Sequence, residues 1–238
     1  RGGEPVVPGV QIADLGAGSL MALAGIFMAL FYKQKTGKGQ YVDVSMLDGA
    51  VTWMSGYATS YFADGQVPER GNIRLSGKYA CYDVYPTKDG KWLAVGALEE
   101  KFWRRLCELL GKEEWIEQHM AGPEVQARLR QELRQIFSTK TQAEWLELLM
   151  AEETCVGPVY DLDEVFSDPQ VLARNMVIET SHPVLGVLKQ VGFPLKFSDG
   201  AGAVRRPAPE LGEHNREVFE ALGLTPDEIA ALAAEKVI

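Results

Sequence analysis

The sequence predicts part of an α/β layer followed by an α+β domain. Residues 19–35 are predicted to form a helix, 41–45 a strand and 46–62 a second helix, an order typical of a layer on a parallel sheet. Residues 79–85 and 91–97 are instead predicted to be two strands joined by an Asp-Gly turn, which indicates an antiparallel hairpin. The change from parallel to antiparallel organisation indicates a domain boundary between the two regions.

The first predicted helix is the most apolar segment of the chain. Residues 20–32 include no charged side chain, and Gly37 is expected to end the helix. We expect this helix to be buried. At residues 19–35 it is shorter than the roughly 20 apolar residues that a transmembrane helix needs, so we expect no membrane span.

The remainder of the chain is predicted to combine amphipathic helices with short strands. Helices are expected at 99–110 and 124–137, and a Thr-x-x-Glu capping box at Thr141 starts another. The other expected elements are a strand at 155–159, a helix from 169, paired strands at 177–179 and 187–191, and terminal helices at 211–222 and 226–236.

Composition argues against several classes of function. The formal net charge of −9 disfavours a nucleic-acid or membrane-surface partner. The three cysteines share no metal-binding spacing and lie in apolar stretches, so we expect buried thiols in a reducing cytoplasm. The three histidines are also too scattered to bind a metal, so we expect none. Among them, His119 is expected to be superficial.

A single carboxylate and two glycines precede the apolar helix. Asp14 is expected just ahead of the helix N-terminus, where unpaired N–H groups and the helix dipole favour a negative charge. Gly16 and Gly18 lack side chains, which would let a ligand approach the backbone. An ionised, accessible carboxylate is a usable nucleophile or base. The alternative is that Asp14 is only an N-cap and the glycines only a turn.

Six stretches of the chain together resemble one protein family. They read DLGAG at 14–18, KTGKGQYVDVSMLDG at 35–49, YDVY at 82–85, GALEEKFW at 96–103, DLDE at 161–164 and LGEH at 211–214. The stretch at 35–49 is the most specific of them. The chain resembles the class III CoA-transferases (CaiB/BaiF-like), which include the alpha-methylacyl-CoA racemases, from near Asp14 to its C-terminus.

The resemblance implies a large Rossmann-like α/β domain, a smaller α+β domain and an active site between them, in two interlocked subunits. Residues 1–74 would belong to the large domain, 75–192 would form the small domain with its linkers, and 193–238 would return to the large domain. Family members are usually longer, and the portion before the aspartate motif carries most of the CoA-binding surface. We therefore expect the N-terminal half of the large domain to be missing, either because the sequence is a fragment or because a partner chain supplies it.

The resemblance also implies roles for individual residues. In the transferases, the residue matching Asp14 attacks an acyl-CoA thioester and passes CoA to a carboxylic acid acceptor through an aspartyl anhydride and an aspartyl-CoA thioester. In the racemases, it exchanges the α-proton of the acyl group together with a histidine of the missing half, which the glutamate matching Glu99 supports. Glu99 is alternatively a first-turn acid of the next helix.

Three functions thus remain open: CoA transfer, acyl-CoA racemisation, and a non-catalytic half that needs a partner. Residues 96–99 read Gly-Ala-Leu-Glu where some transferases have a glycine-rich loop, which weakens a formyl- or oxalyl-CoA assignment but not CoA transfer in general.

Lys38 is a candidate for binding a CoA phosphate, although such lysines are usually only solvated. Tyr82 and Tyr85 either face the acyl chain or pack in the core.

Overall fold

The computed structural model describes residues 3–238, which form two compact units: the first ends at Val159 and the second begins at Tyr160. Both helices and strands are present, which confirms the mixed class predicted from the sequence. Every pairing between the strands named below is antiparallel. The Rossmann-like sheet and the three domain ranges stay predictions.

The first unit begins with one helix of 25 residues, Ile12–Thr36. Its opening segment, Ile12–Leu20, is wound as a π-helix, and α1, Met21–Thr36, continues it without a break. The helix ends at Gly37, whose φ of 72° is left-handed and whose N–H donates to the carbonyl of Lys33 at 2.8 Å. The predicted stop is therefore confirmed, and it needs a glycine because other residues are strained at this φ.

The helix differs from the prediction in length and in burial. It begins at Ile12 instead of Ser19, and at 25 residues it is long and apolar enough to cross a membrane, so the prediction that it is too short is wrong. No residue of α1 is buried, and Met28 is 70 % exposed. The predicted burial is wrong for the described residues, because α1 is apolar on all sides and its neighbours cover only part of it.

The segment after α1 is extended but is not a strand. Residues 41–45 pair with no other strand in the part of the chain that the structure describes. A β strand needs a neighbouring strand to complete its main-chain hydrogen bonds, so this segment is extended without being a strand. The segment instead lies along α1, so close that a Cβ added at Gly25 would be 3.1 Å from Val42 Cγ1. The predicted strand is therefore replaced by an extended packing segment.

Two helices follow where one was predicted. α2, Met46–Trp53, is capped by the Ser45 hydroxyl, which accepts a hydrogen bond from the N–H of Asp48 at 3.2 Å. α3, Ser55–Asp64, begins after a break at Met54, where the backbone leaves the helical conformation with ψ of 5°.

A three-stranded antiparallel sheet forms the centre of the next region. β1, Tyr82–Pro86, and β2, Trp92–Gly96, are the predicted hairpin, and Tyr85 lies opposite Leu93. β3, Val156–Val159, adds to the other side of β2. Tyr85 and Leu93 are fully buried, so one face of the hairpin packs against the core.

Four helical segments pack in this region: α4, Glu100–Leu110; a 3₁₀ turn, Glu113–Gln118; α5, Pro123–Phe137; and α6, Gln142–Leu149. Their apolar sides form one core with the sheet, and its largest fully buried side chains are Trp103, Tyr85, Phe137 and five leucines: Leu93, Leu106, Leu129, Leu133 and Leu149. The capping box predicted at Thr141 is present.

The second unit consists of short elements. They are α7, Leu162–Val165; α8, Pro169–Ala173; β4, Val177–His182; β5, Gly186–Val191; α9, Asn215–Ala221; and α10, Pro226–Ala234. The predicted pairing of β4 with β5 is confirmed.

Candidate functional site

Asp14 lies in the first turn of the long helix, not ahead of it as predicted. The main-chain carbonyl of Asp14 accepts a hydrogen bond from the Ser19 hydroxyl at 2.8 Å. Its carboxylate is exposed and has no hydrogen-bond or ion-pair partner among the described residues. The N–H of Leu15 donates to the carbonyl of Gln11 at 3.0 Å, and the dipole at a helix N-terminus favours a negative charge near Asp14. The carboxylate is therefore accessible and makes no capping bond of the kind that the alternative reading required.

The glycines after Asp14 allow α2 to pack closely on the helix. Gly16 is buried, and a Cβ added there would be 2.6 Å from Cζ2 of Trp53. At Gly18 the added atom would be 3.0 Å from Cγ of Met46, and at Gly49, on α2, it would be 2.5 Å from the carbonyl of Ala17. The space freed by the missing side chains is thus filled by α2. A ligand-binding role for Gly16 and Gly18 stays a prediction.

Glu99 occupies the turn between β2 and α4. It is the N-cap residue, and its main-chain carbonyl accepts hydrogen bonds from the N–H groups of Phe102 at 3.1 Å and Trp103 at 3.2 Å. Its side chain is exposed and makes no capping hydrogen bond. The first-turn acid of α4 is instead Glu100, which pairs with Arg104 at 2.8 Å. Glu99 thus presents an exposed carboxylate just after β2, with no hydrogen-bond or ion-pair partner among residues 3–238.

Lys38 follows the C-terminal stop of α1. Its main-chain N–H donates to the Thr36 hydroxyl at 3.2 Å, and its side chain is exposed without a partner among residues 3–238. The phosphate-binding role predicted for Lys38 therefore stays a prediction.

An open cavity of about 890 Å³ lies against the sheet. Tyr82 and Val84 of β1 line it, with Ala94 and Gly96 of β2, and Cys155 lies at its edge before β3. Tyr85, in contrast, is fully buried and donates its hydroxyl to the carbonyl of Ala80 at 2.6 Å. Of the two tyrosines with alternative roles, Tyr85 belongs to the core and Tyr82 faces the cavity.

A half-buried ion pair shapes one wall of this cavity. Arg130 Nε donates to Asp83 Oδ2 at 2.8 Å, and its Nη2 donates to the carbonyl of Gly77 at 3.0 Å. Arg134, which also lines the cavity, is exposed and lies 5.9 Å from the ring centre of Tyr85. The wall therefore presents positive charge beside an apolar floor. The sequence pattern around Arg130 is that of an ordinary amphipathic helix and did not predict this contact.

The cysteines differ from one another. Burial raises the pKa of Cys81 and of Cys107 to about 12, as expected for thiols in the core. Cys155 is exposed and has a left-handed φ of 55°, so its predicted burial is wrong. The reason is that Cys155 turns the chain into β3, and its carbonyl, not its thiol, makes the structural contact by accepting the N–H of Gly96 at 2.9 Å.

His119 is not superficial as predicted. It is half-buried, stacks on Trp103 with ring centres 5.5 Å apart, and places Nε2 2.9 Å from the carbonyl of Ala97. Desolvation lowers its pKa, and the hydrogen bond to Ala97 partly opposes this. The sequence contained no signal for this contact, because it depends on how the 3₁₀ turn packs against α4.

The structure therefore presents Asp14 and Glu99 as two accessible carboxylates in the first unit, without a hydrogen bond between them among the described residues. Asp14 begins the apolar helix, and Glu99 begins α4 beside the sheet. Neither carboxylate lines the cavity against the sheet. If both carboxylates take part in one reaction, the substrate must reach Asp14 and Glu99 at the same time.

Comparison with known proteins decides which family has this arrangement. The family model described as CoA-transferase family III matches residues 1–215. The chain belongs to CoA-transferase family III. Membership confirms the resemblance inferred from the six stretches.

Relatives with assigned names fall into both activity classes. The chain is 34 % identical to a succinyl-CoA–D-citramalate CoA-transferase of Chloroflexus aurantiacus, over 98 % of this chain and 59 % of that protein. It is 31 % identical to the human alpha-methylacyl-CoA racemase, over 100 % of this chain and 62 % of that protein. The chain thus spans about three-fifths of the length of these curated relatives.

A solved structure has the same fold. A CAIB/BAIF family protein from Brucella suis matches with a TM-score of 0.76 and 26 % identity, over 92 % of this chain and 57 % of that chain. The match supports the family assignment at the level of the fold.

Proposed function

We propose that this chain carries the nucleophilic aspartate of an enzyme that moves CoA between carboxylic acids. The observation that carries the proposal is the position of Asp14: an exposed carboxylate in the first turn of a helix, held there by glycine-mediated packing of α2, in a chain of CoA-transferase family III. The Chloroflexus relative transfers CoA according to its name.

The proposed reaction begins with attack by a carboxylate oxygen of Asp14 on the thioester carbonyl of the donor. The carbon–sulfur bond breaks, CoA leaves as thiolate, and an aspartyl anhydride remains. The thiolate then attacks the carbonyl carbon of the Asp14 side chain and releases the donor acid. The acceptor carboxylate attacks the side-chain carbonyl of the resulting aspartyl-CoA thioester, which breaks its carbon–sulfur bond and forms a second anhydride. The released CoA thiolate attacks the acceptor carbonyl of this anhydride, which gives the new acyl-CoA and regenerates the Asp14 carboxylate.

The environment proposed for this chemistry must stabilise an oxyanion and exclude water. Main-chain N–H groups at the start of a helix are suitable donors to an oxyanion. Water would hydrolyse both activated intermediates, so the site must be covered during turnover. We propose that the cover is the N-terminal half of the large domain, in the same polypeptide or in a partner chain, within an interlocked dimer. The exposed apolar side chains of α1 are consistent with this.

Coenzyme A would enter as part of the substrate. We propose Lys38 as a phosphate contact and Gly16 and Gly18 as the backbone that the thioester approaches. Tyr82 and the apolar floor of the cavity against the sheet are the candidates for the acyl chain. No step of the proposed reaction uses a metal. Cytoplasmic acyl-CoA pools would supply the substrate.

A second candidate function is racemisation at the α-carbon of an acyl-CoA. It is favoured by Glu99, whose exposed carboxylate at the start of α4 has no partner in the part of the chain that the structure describes, and by 31 % identity to the human racemase. Here Asp14 would remove or return the α-proton, with a histidine from outside the described chain as its partner, supported by Glu99. A third possibility is that the chain is inactive until a partner joins it.

Two measurements separate these functions. Exchange of CoA between succinyl-CoA and a dicarboxylate, without deuterium entering the α-position from heavy water, supports transfer. Deuterium incorporation without CoA exchange selects the racemase. In either case Asp14→Asn is expected to abolish turnover, and full activity of this variant would exclude Asp14 from the chemistry. Activity that appears only after a partner chain is added identifies the third possibility.

A further inference from the structure

His119 contacts the turn that presents Glu99. Its Nε2 lies 2.9 Å from the carbonyl oxygen of Ala97, in the segment between β2 and Glu99. Since a carbonyl oxygen only accepts hydrogen bonds, Nε2 must carry the proton and donate it. His119 thereby fixes the main chain on the N-terminal side of Glu99.

The same ring also contacts the C-terminal side of Glu99. His119 stacks on Trp103 with an interplanar angle of 7°, and the main-chain N–H of Trp103 donates to the carbonyl of Glu99 at 3.2 Å. Trp103 is itself fixed, because its Nε1 donates to the carbonyl of Trp115 at 3.0 Å and its side chain is fully buried. The imidazole of His119 thus contacts Ala97, before Glu99 in the chain, and Trp103, after it.

His119 is held in turn by a buried amide. Gln126 is 3 % exposed, and its Nε2 donates to the carbonyl of His119 at 3.0 Å. Its Oε1 accepts the N–H of Ala80 at 2.8 Å, and the neighbouring Cys81 carbonyl accepts the N–H of Ala97 at 2.8 Å. The network connects α5, the entry to β1 and the turn before Glu99.

The Glu99 carboxylate has no partner among the described residues, so its position depends on the main chain that carries it. We propose that His119 is a positioning residue that orients Glu99 for the reaction. The inference rests on the second candidate of the proposed function, racemisation, in which Glu99 supports the histidine that exchanges the α-proton together with Asp14. Misplacing a group of the active site by about 1 Å can cost on the order of 100-fold in rate. Loss of a contact that holds the main chain on both sides of Glu99 is therefore expected to lower the turnover rate.

The test compares two substitutions of the same residue. His119→Phe keeps a flat ring for stacking on Trp103 but removes the donor to Ala97, whereas His119→Gln keeps an N–H donor. We expect kcat of the active protein to fall on the order of 10-fold in His119→Phe, with KM for the acyl-CoA changed by less than about two-fold, and to recover in His119→Gln. His214→Phe, in the second unit, is the matched control and is expected to leave both constants unchanged.

A double-mutant cycle shows whether His119 acts through Glu99. If it does, His119→Phe should have little further effect in a Glu99→Gln background, because the carboxylate that it orients is gone. Equal losses in both backgrounds would overturn the inference, as would unchanged kcat in His119→Phe. Should His119→Phe not fold, His119→Asn serves in its place, since its shorter side chain leaves the donor too far from Ala97.

The inference and the proposed function fail in different ways. Full activity of Asp14→Asn would remove the proposed function. An inactive Asp14→Asn together with a fully active Glu99→Gln or His119→Phe would overturn only the positioning role.

Discussion

Two regions of the first unit differ in how far their apolar side chains are buried. In the region of the sheet, Trp103, Leu133 and Phe137 are at most 1 % exposed. In the first helix, Phe27 is 63 % and Phe31 58 % exposed. The difference follows from pattern: α4 and α5 are apolar on one side, and each finds a partner within the chain, whereas α1 is apolar all round and requires partners on several sides. The packed region holds Glu99, and the uncovered helix carries Asp14.

The largest expected difference between the regions is in stability. Phe137→Ala should lower the free energy of unfolding by about 3–5 kcal/mol, because it leaves a cavity among buried side chains. Phe31→Ala in the isolated chain should change it by no more than about 0.5 kcal/mol, since its ring is largely in water. Urea denaturation of both variants checks this. Equal losses would mean that α1 is packed in solution and that the contrast is wrong.

Self-association tests what the uncovered helix does. We expect the isolated chain to self-associate through α1, and the double variant Phe27→Glu with Phe31→Glu to weaken association at least about 10-fold, roughly 1.4 kcal/mol, because charges replace apolar contacts. Sedimentation velocity over a concentration series measures this.

The control for that experiment is the double variant Val184→Glu with Leu185→Glu, which changes two equally exposed apolar residues of the second unit. It should associate as the parent does. A parent chain that is monomeric at every concentration would contradict the prediction.

Alanine substitutions at two glycines, one in α2 and one in α3, test whether α2 packs closely on the first helix. Gly49→Ala should destabilise the chain by about 1–3 kcal/mol, because the added methyl meets the carbonyl of Ala17 at 2.5 Å. Gly56→Ala, on the neighbouring helix, meets nothing within 4 Å and should stabilise it by about 0.5–1 kcal/mol. Thermal unfolding of the pair measures the sign. Stabilisation by both substitutions would show that α2 does not pack on the first helix as described.

The smallest expected effect is a pH dependence in the packed region. Because burial lowers the pKa of His119 from its ordinary 6.5, the unfolded chain binds the proton more readily than the folded chain. The contribution to stability is therefore complete above pH 6.5 and is lost as the pH falls through and below that value. His119→Gln should remove this component of the stability profile. An identical profile in the variant would mean that His119 does not titrate in this environment.

The sequence predicted the packed region well and the uncovered region poorly, for one physical reason. The hairpin of β1 and β2, the ends of α4 and α5 and the capping box at Thr141 follow from local pattern, and their partners lie close by in the chain. The predicted strand at 41–45 and the burial of α1 depend on a parallel sheet that the described residues do not contain. The local sequence pattern of a segment does not show whether the strand or helix that it would pack against is present.

The candidate site shows the same limit at the level of single residues. Asp14 is predicted from the sequence itself, because a carboxylate beside two glycines ahead of an apolar helix is a visible pattern. The role of Glu99 is predicted only from the resemblance to the family. The contacts of His119, Gln126 and Arg130 are not predicted, because they reach Ala97, Ala80 and Gly77, which lie in segments far from them in the chain.

Chemical trapping tests whether the side chain of Asp14 is the nucleophile. The active protein is incubated with succinyl-CoA and hydroxylamine, digested, and analysed by peptide mass spectrometry. We expect the side chain of Asp14, and no other carboxylate, to become a hydroxamate, and none to form without the acyl-CoA. An unmodified Asp14 in a protein that is exchanging CoA at full rate would contradict this expectation.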